Sequence, residues 1–237
     1  EDGMSGRLSQ AERASLGLSA GGLIVNGVRI PVPGVSVTTW LDDPKRAPPI
    51  TDGRERSASA VKSIVLHTSR GVRGTIRDGS RDSSRAEVLA LYQSRTARQV
   101  SWCLSADTDG DVLQQCDAAR WACWHAGHAN AWTIGIEMVQ HPDTGDLWRV
   151  QVDACVAVVG ALCDALAIPK RVPVDASGKP FAGVVPSWRS VAKGGKATQW
   201  PGVLGHRNIT TDRGPGDPGS AIFEALLSSG FAGEVVG

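Results

Sequence analysis

Several common signatures are missing from this 237-residue chain, and each absence removes a class of function. Charge of one sign is not in excess: 25 Lys and Arg stand against 24 Asp and Glu, a formal net charge of +1. A general nucleic-acid binder carries a concentrated basic face, so nucleic acid is not an expected partner. A basic stretch does run from Arg70 through Arg73, Arg77, Arg81 and Arg85, but Asp78, Asp82 and glycines interrupt it, and it reads as a solvated loop. No apolar run approaches the roughly 18 residues that suggest a membrane span. The opening EDGMSGRLSQAERASLG has no apolar core of a secretory signal, and Met4 reads as the native start, so synthesis in the cytoplasm is expected.

Paired cysteines are also missing from the pattern. Five cysteines is an odd number, so at least one is unpaired. Cys155 and Cys163 lie eight positions apart in a helical segment, about 12 Å along its axis, too far for a disulfide. Cys103, Cys116 and Cys123 show no CxxC spacing, and buried reduced thiols are the expectation for all five. No internal repeat is visible.

What is present fits a globular protein. Hydrophobic residues make up 41% and charged residues 21%, and the length supports one domain with a sizeable core plus extensions. Residues 1–60 are rich in Gly, Pro and Ser, with one extended candidate, GLIVNGVRIPVPG, and read as an N-terminal arm laid over a domain spanning 61–237. That domain opens with VKSIVLHTS, a short buried strand ending at His67. AEVLALYQSR has helical spacing, and QVSWCLSADTDGDVLQQCD reads as a hairpin turning at Asp109-Gly110. TIGIEMVQ is a strand, VQVDACVAVVGALCDALAI a helix stopped by Pro169, VLGH a short strand, and DPGSAIFEALLSSG a closing helix. Residues 170–200 lack periodicity and read as an insertion loop. Strands alternate with helices, which predicts an α/β fold around one central sheet.

Three residues could form a metal site. A catalytic zinc takes three protein ligands from His and Asp/Glu and leaves a fourth position for water. His67 and His206 stand at the ends of predicted strands, and Asp217 lies in GPGDPG, whose glycines allow a tight turn back towards a strand end. Each alone has a simpler account: a histidine at a strand end can be a hydrogen-bonded structural residue, and Asp217 can be a helix N-cap. No compact zinc signature such as HExxH is present.

Four blocks in order, IVLHTS, the hairpin DTDGDVLQ followed by WHAG, then TIGIEM, and GHRNITTDRGPGDPG, lie between Ile64 and Gly230. Together they resemble the type 2 N-acetylmuramoyl-L-alanine amidase family, which includes phage amidases, bacterial anhydro-muropeptide amidases and animal peptidoglycan recognition proteins. The resemblance implies a central mixed sheet flanked by helices, one zinc ion, and His67, His206 and Asp217 as its ligands. It implies Glu137 in TIGIEM as general base, since Trp102 occupies the position where phage relatives carry a tyrosine. Pro215 occupies a position where relatives commonly have a lysine, which makes Arg213 the nearest candidate to stabilise an oxyanion; pairing with Asp212 at the surface is the other reading. The resemblance places His125 of WHAG at the substrate groove, with a structural role behind the metal as the other reading. Trp124, and Trp102 with it, read as groove residues for sugar or peptide, with a place in the core as the alternative for the tryptophan cluster, and Arg70 is expected to meet stem-peptide carboxylates. His128 and His141 are expected at the surface.

The implied activity is hydrolysis of the amide between N-acetylmuramic acid and L-alanine in peptidoglycan or muropeptides, by a monomer. A non-catalytic peptidoglycan-binding module is the alternative. A leaderless amidase fits a phage lysin, a recycling enzyme or a delivered toxin, acting in the cytoplasm or on the wall after release.

Overall fold

The computed structural model describes residues 21–42, 55–81, 85–186, 199–211, 213–214 and 216–236. Twelve strands are seen among them: β1 (Leu23–Val25), β2 (Val28–Ile30), β3 (Val37–Thr39), β4 (Ser63–Thr68), β5 (Ile76–Arg77), β6 (Leu104–Ala106), β7 (Val112–Gln114), β8 (Thr133–Met138), β9 (Leu147–Trp148), β10 (Arg171–Val174), β11 (Gly202–Gly205) and β12 (Ala232–Val235). The helices are α1 (Arg85–Arg95), α2 (Arg149–Leu166) and α3 (Ser220–Ser228). Six strands form the central sheet in the order β11-β4-β8-β6-β7-β3. β11, β4, β8 and β6 run parallel, β6 and β7 are the antiparallel hairpin, and β7 pairs in parallel with β3. The sheet is therefore mixed, as expected. The turn at Asp109-Gly110 also forms, with Gly110 at φ +86°, and a Cβ there would lie 2.7 Å from Val150.

The two faces of the sheet differ because successive side chains along a strand alternate. Ile64 and Leu66 of β4, Ile134, Ile136 and Met138 of β8, Leu104 of β6 and Val203 of β11 enter one large core. That core also takes Val152, Cys155, Val159 and Leu162 of α2 and Ile222, Phe223 and Leu226 of α3. Each such aliphatic side chain, fully buried, contributes about 1.5–3 kcal/mol. Val65 and Leu204, one residue out of phase, join a separate cluster with Ala126, Ala129, Val184 and Trp200 on the opposite face. α1 covers a third cluster, where Ala86 and Ala90 meet Leu113, Val139 and Trp40.

Two regions are more ordered than their composition suggests. The arm does more than cover the domain: β1 and β2 form a hairpin around Asn26-Gly27, Leu23, Val25, Val32, Val35 and Val37 enter the main core, and β3 becomes an edge strand of the central sheet. The stretch from Lys170, expected as loop, begins with β10, which pairs in parallel with β12 beyond the last helix. A four-residue strand containing Pro173 has no periodicity to read, and its partner lies some sixty residues further on. Residues 187–198 of that stretch lie outside the described residues. Among the described residues no helix is long and apolar enough to cross a membrane.

Candidate metal centre

The alternation that buries Ile64 and Leu66 turns Val65 and His67 to the other face. In register, His67 of β4 pairs with Glu137 of β8, and Glu137 with Ser105 of β6. His206 follows β11 directly, as the first residue of a short 3-10 turn. His67 and Glu137 occupy the fifth positions of parallel six-residue strands, so the row lies near the carboxyl ends, where open α/β sheets bind ligands.

Asp217 reaches this rim through close backbone contacts. The Thr68 N–H donates to its Oδ1 at 3.0 Å, and the Arg207 N–H donates to its carbonyl at 3.1 Å. Gly205 makes room for the turn, since a Cβ there would lie 2.6 Å from Pro218. Gly216 packs against the backbone of Val72 and Arg73, where any side chain would collide. The loop beneath is tied by Gln140, which accepts from the Arg70 N–H and donates to the carbonyls of Val72 and Gly145, and by Asp146, which accepts from the Thr75 backbone and hydroxyl and from Arg77. On the other side, the Asn208 side chain accepts from the Gly205 N–H and donates to the carbonyls of Phe181 and Gly183, fixing the turn that carries His206.

The result is a buried cluster of His67, His206 and Asp217 whose ligand atoms all lie within 4.8 Å of one another. Nδ1 of His67 and Nδ1 of His206 are 3.0 Å apart, with carboxylate oxygens of Asp217 at 3.9 and 3.4 Å from them respectively. Tetrahedral zinc with bonds near 2.0–2.1 Å separates its nitrogen and oxygen donors by about 3.3 Å. The donor set and its spacing therefore fit such an ion.

Hydrogen bonds settle which nitrogen of His67 is free. The Thr133 hydroxyl donates its one proton to the Ala129 carbonyl (2.7 Å), so it accepts from Nε2–H of His125 at 3.1 Å. Nδ1 of neutral His125 is then an acceptor, and it takes Nε2–H of His67 at 3.0 Å. The lone pair of His67 is left on Nδ1, facing His206 and Asp217. Burial first, then the His206, His125 and Arg213 charges, hold His67 well below its ordinary pKa, and burial brings His125 down to about 4. Gly135 makes this arrangement possible: a Cβ on it would stand 2.7 Å from the His125 ring.

Glu137 is buried beside the cluster. Burial, reinforced by the Asp217 carboxylate and opposed by Arg213, raises its pKa well above the usual carboxyl range. Arg213 is exposed, yet close enough for its charge to act on both His67 and Glu137. Asp212 and Pro215 lie outside the described residues.

The residues expected around a groove are distributed less uniformly. His125 is buried beneath His67, with both ring nitrogens engaged, rather than lining an open surface. Trp102 is partly exposed and donates from Nε1 to Ser105, next to Glu137 in register. Trp124 is partly exposed and exchanges backbone and side-chain hydrogen bonds with Ser101. Arg70 is exposed on the loop after His67, His128 is exposed, and His141 is half-buried in a turn. Thr133, Asn208 and Gln140 also shape the site, and no motif or spacing in the sequence points to them. Gly135 alone carried a readable signal, a glycine inside a strand, which often marks close approach by another group.

A mixed α/β sheet with two histidines and an aspartate at the carboxyl edge, beside a buried glutamate, defines a class: single-domain proteins with a three-donor centre able to hold a metal. The chain belongs to the N-acetylmuramoyl-L-alanine amidase family, whose profile matches residues 57–220. No curated protein matches the sequence. Among solved structures, the chain is similar to peptidoglycan recognition protein SD of Drosophila, at 15% identity over 80% of this chain and 94% of that one, with a TM-score of 0.50. It is also similar to the N-acetylmuramoyl-L-alanine amidase LysC of Clostridium intestinale, at 11% identity over 83% and 97% of the two chains, with a TM-score of 0.48. At 15% identity the likeness to the Drosophila protein bears on the fold alone.

Proposed function

We propose that the protein is a zinc-dependent amidase that cleaves the bond between the lactyl group of N-acetylmuramic acid and the L-alanine of the stem peptide. The observation that carries this reading is the convergence of His67, His206 and Asp217, in a member of this family, next to a buried glutamate. His67 would bind through Nδ1, its tautomer fixed by His125, and His206 and Asp217 would complete the set. Zinc bound there would polarise the scissile carbonyl and acidify a water to a pKa near ~7.

This chain's own groups would do the rest. Glu137 takes the proton from the attacking water and returns it to the leaving alanine nitrogen; its buried, proton-retaining environment suits both steps. Arg213 at the mouth offers guanidinium donors to the carbonyl oxygen as it gains charge. A pocket of about 450 Å³ beside the centre, lined by Arg207, Arg213, Thr210, Thr211 and Val184 among others, suits the carboxylates of a stem peptide. Trp102 and Trp124, partly exposed, offer apolar faces to sugar or peptide.

The test is purified zinc-loaded protein on sacculi and on soluble muropeptides, scored by release of free L-alanine amino termini. Turnover that disappears with chelation and returns with zinc is the expected outcome. Retained binding without turnover would assign the protein to peptidoglycan recognition instead, and preference for sacculi or for muropeptides separates a lytic from a recycling role.

A further inference from the structure

Three sequence-distant cysteines meet at a second donor cluster, and the proposed reaction uses none of it. Cys103 precedes β6, Cys116 follows β7, and Cys123 lies in the segment leading to His125. All three are fully buried, and their Sγ atoms lie within 4.8 Å of one another. Sγ of Cys123 stands 3.1 Å from that of Cys103 and 3.5 Å from that of Cys116. We propose that Cys103, Cys116 and Cys123 form an all-sulfur site for a soft divalent cation of the zinc and cadmium type, separate from the His67 centre.

Geometry supports an ion over the two simpler accounts. With metal–sulfur bonds near 2.3 Å, three thiolates stand about 3.8–4.0 Å apart, so the observed cluster needs only sub-ångström expansion. A disulfide needs its sulfurs at about 2.05 Å and would use two of the three, leaving the third beside it without a role. Ordinary core cysteines look different in this same protein. Cys155 and Cys163 of α2 lie in the same apolar core but belong, among the described residues, to no such group of converging donors.

Charge also balances. A divalent ion displacing three thiol protons leaves one net negative charge, and a guanidinium is at hand to offset it. Arg56 donates to the carbonyls of Asn130 and Ala118, and its buried Nε has no hydrogen-bond partner. Its charge acts on both Cys103 and Cys123. Thiolate donors select soft cations over hard ones, so magnesium and calcium are excluded as occupants.

The experiment adds Cd²⁺ to the reduced full-length protein and follows the ultraviolet sulfur-to-cadmium charge-transfer band, to which the histidine and aspartate donors of the other centre do not contribute. A band saturating at one equivalent is expected. Replacing Cys103→Ala, Cys116→Ala or Cys123→Ala should weaken it by more than the roughly 10–100-fold that loss of a mere outer partner costs, while Cys163→Ala leaves it intact. ¹¹³Cd NMR of the unaltered protein needs no variant: two resonances are expected, one in the sulfur-rich range. Absence of that resonance, or three rather than five thiols on denaturing titration of protein kept under air, would overturn the proposal. Because the readout is spectroscopic, its failure leaves the amidase reading untouched, and an inactive amidase leaves the sulfur site standing.

Discussion

The two faces of the central sheet share a backbone and differ by one residue in phase. On the helix side, Ile64, Leu66, Ile134, Ile136 and Met138 are buried among α2 and α3 with no polar neighbour needed. On the other, His67 and Glu137 are buried almost as deeply, yet every polar atom has to be matched: His67 by His125, His125 by Thr133, Thr133 by the Ala129 carbonyl. The first face is held by area, which tolerates change of shape at modest cost. The second is held by directional bonds, where one lost partner leaves a buried group unsatisfied. Stability and chemistry are thus divided across a single strand.

Breaking the division should give opposite signatures. His206→Ala has the largest expected effect: zinc retention and amide cleavage are both lost, read by metal analysis and alanine release, while far-ultraviolet circular dichroism is unchanged. Glu137→Gln should keep one zinc per chain and lower kcat about 10²–10⁴-fold; an equal loss of zinc would show the glutamate to be structural. Leu66→Ala, one position from His67 on the opposite face, should cost about 2–5 kcal/mol in urea unfolding with zinc stoichiometry unaltered. Gly135→Ala sharpens the comparison further. Its Cβ would press on the His125 ring, free His67 to rotate, and weaken zinc binding about 10–100-fold as an outer-partner defect.

The smallest effect concerns the rim. Hydrogen bonds from Thr144, Thr75 and Arg77 hold Asp146 well below the ordinary carboxylate range. A depressed folded pKa adds stability that is present above the unfolded pKa of about 3.9 and is lost as pH falls towards the folded one. Asp146→Asn should therefore lower the urea midpoint at neutral pH, with the gap from the parent closing below about pH 4.

Much of this was legible in the chain. IVLH and VLGH announce strands that end in histidine, the Asp-Gly turn announces the hairpin, and the four ordered blocks announce a mixed sheet of this family. Less legible were the elements whose partners are remote. β10 pairs with β12 across α3, and β3 joins the sheet beside β7, which no local periodicity records. The match of WHAG to the family leaves both a groove and a structural role open for His125; its burial depends on a glycine ten residues later that leaves space for the ring. The cysteine cluster escaped spacing rules because hairpin geometry, rather than a CxxC loop, brings the sulfurs together.

The arm's strand has a practical consequence for anyone trimming this protein. The family profile begins at residue 57, which invites a cut just before it. Such a cut would strip β3 from β7, bare a row of unpaired backbone groups, and open the core where Leu23, Val25 and Val37 sit. An uncovered edge is a template for joining other chains. What passes for a dispensable arm is a strand of the sheet and a wall of the core.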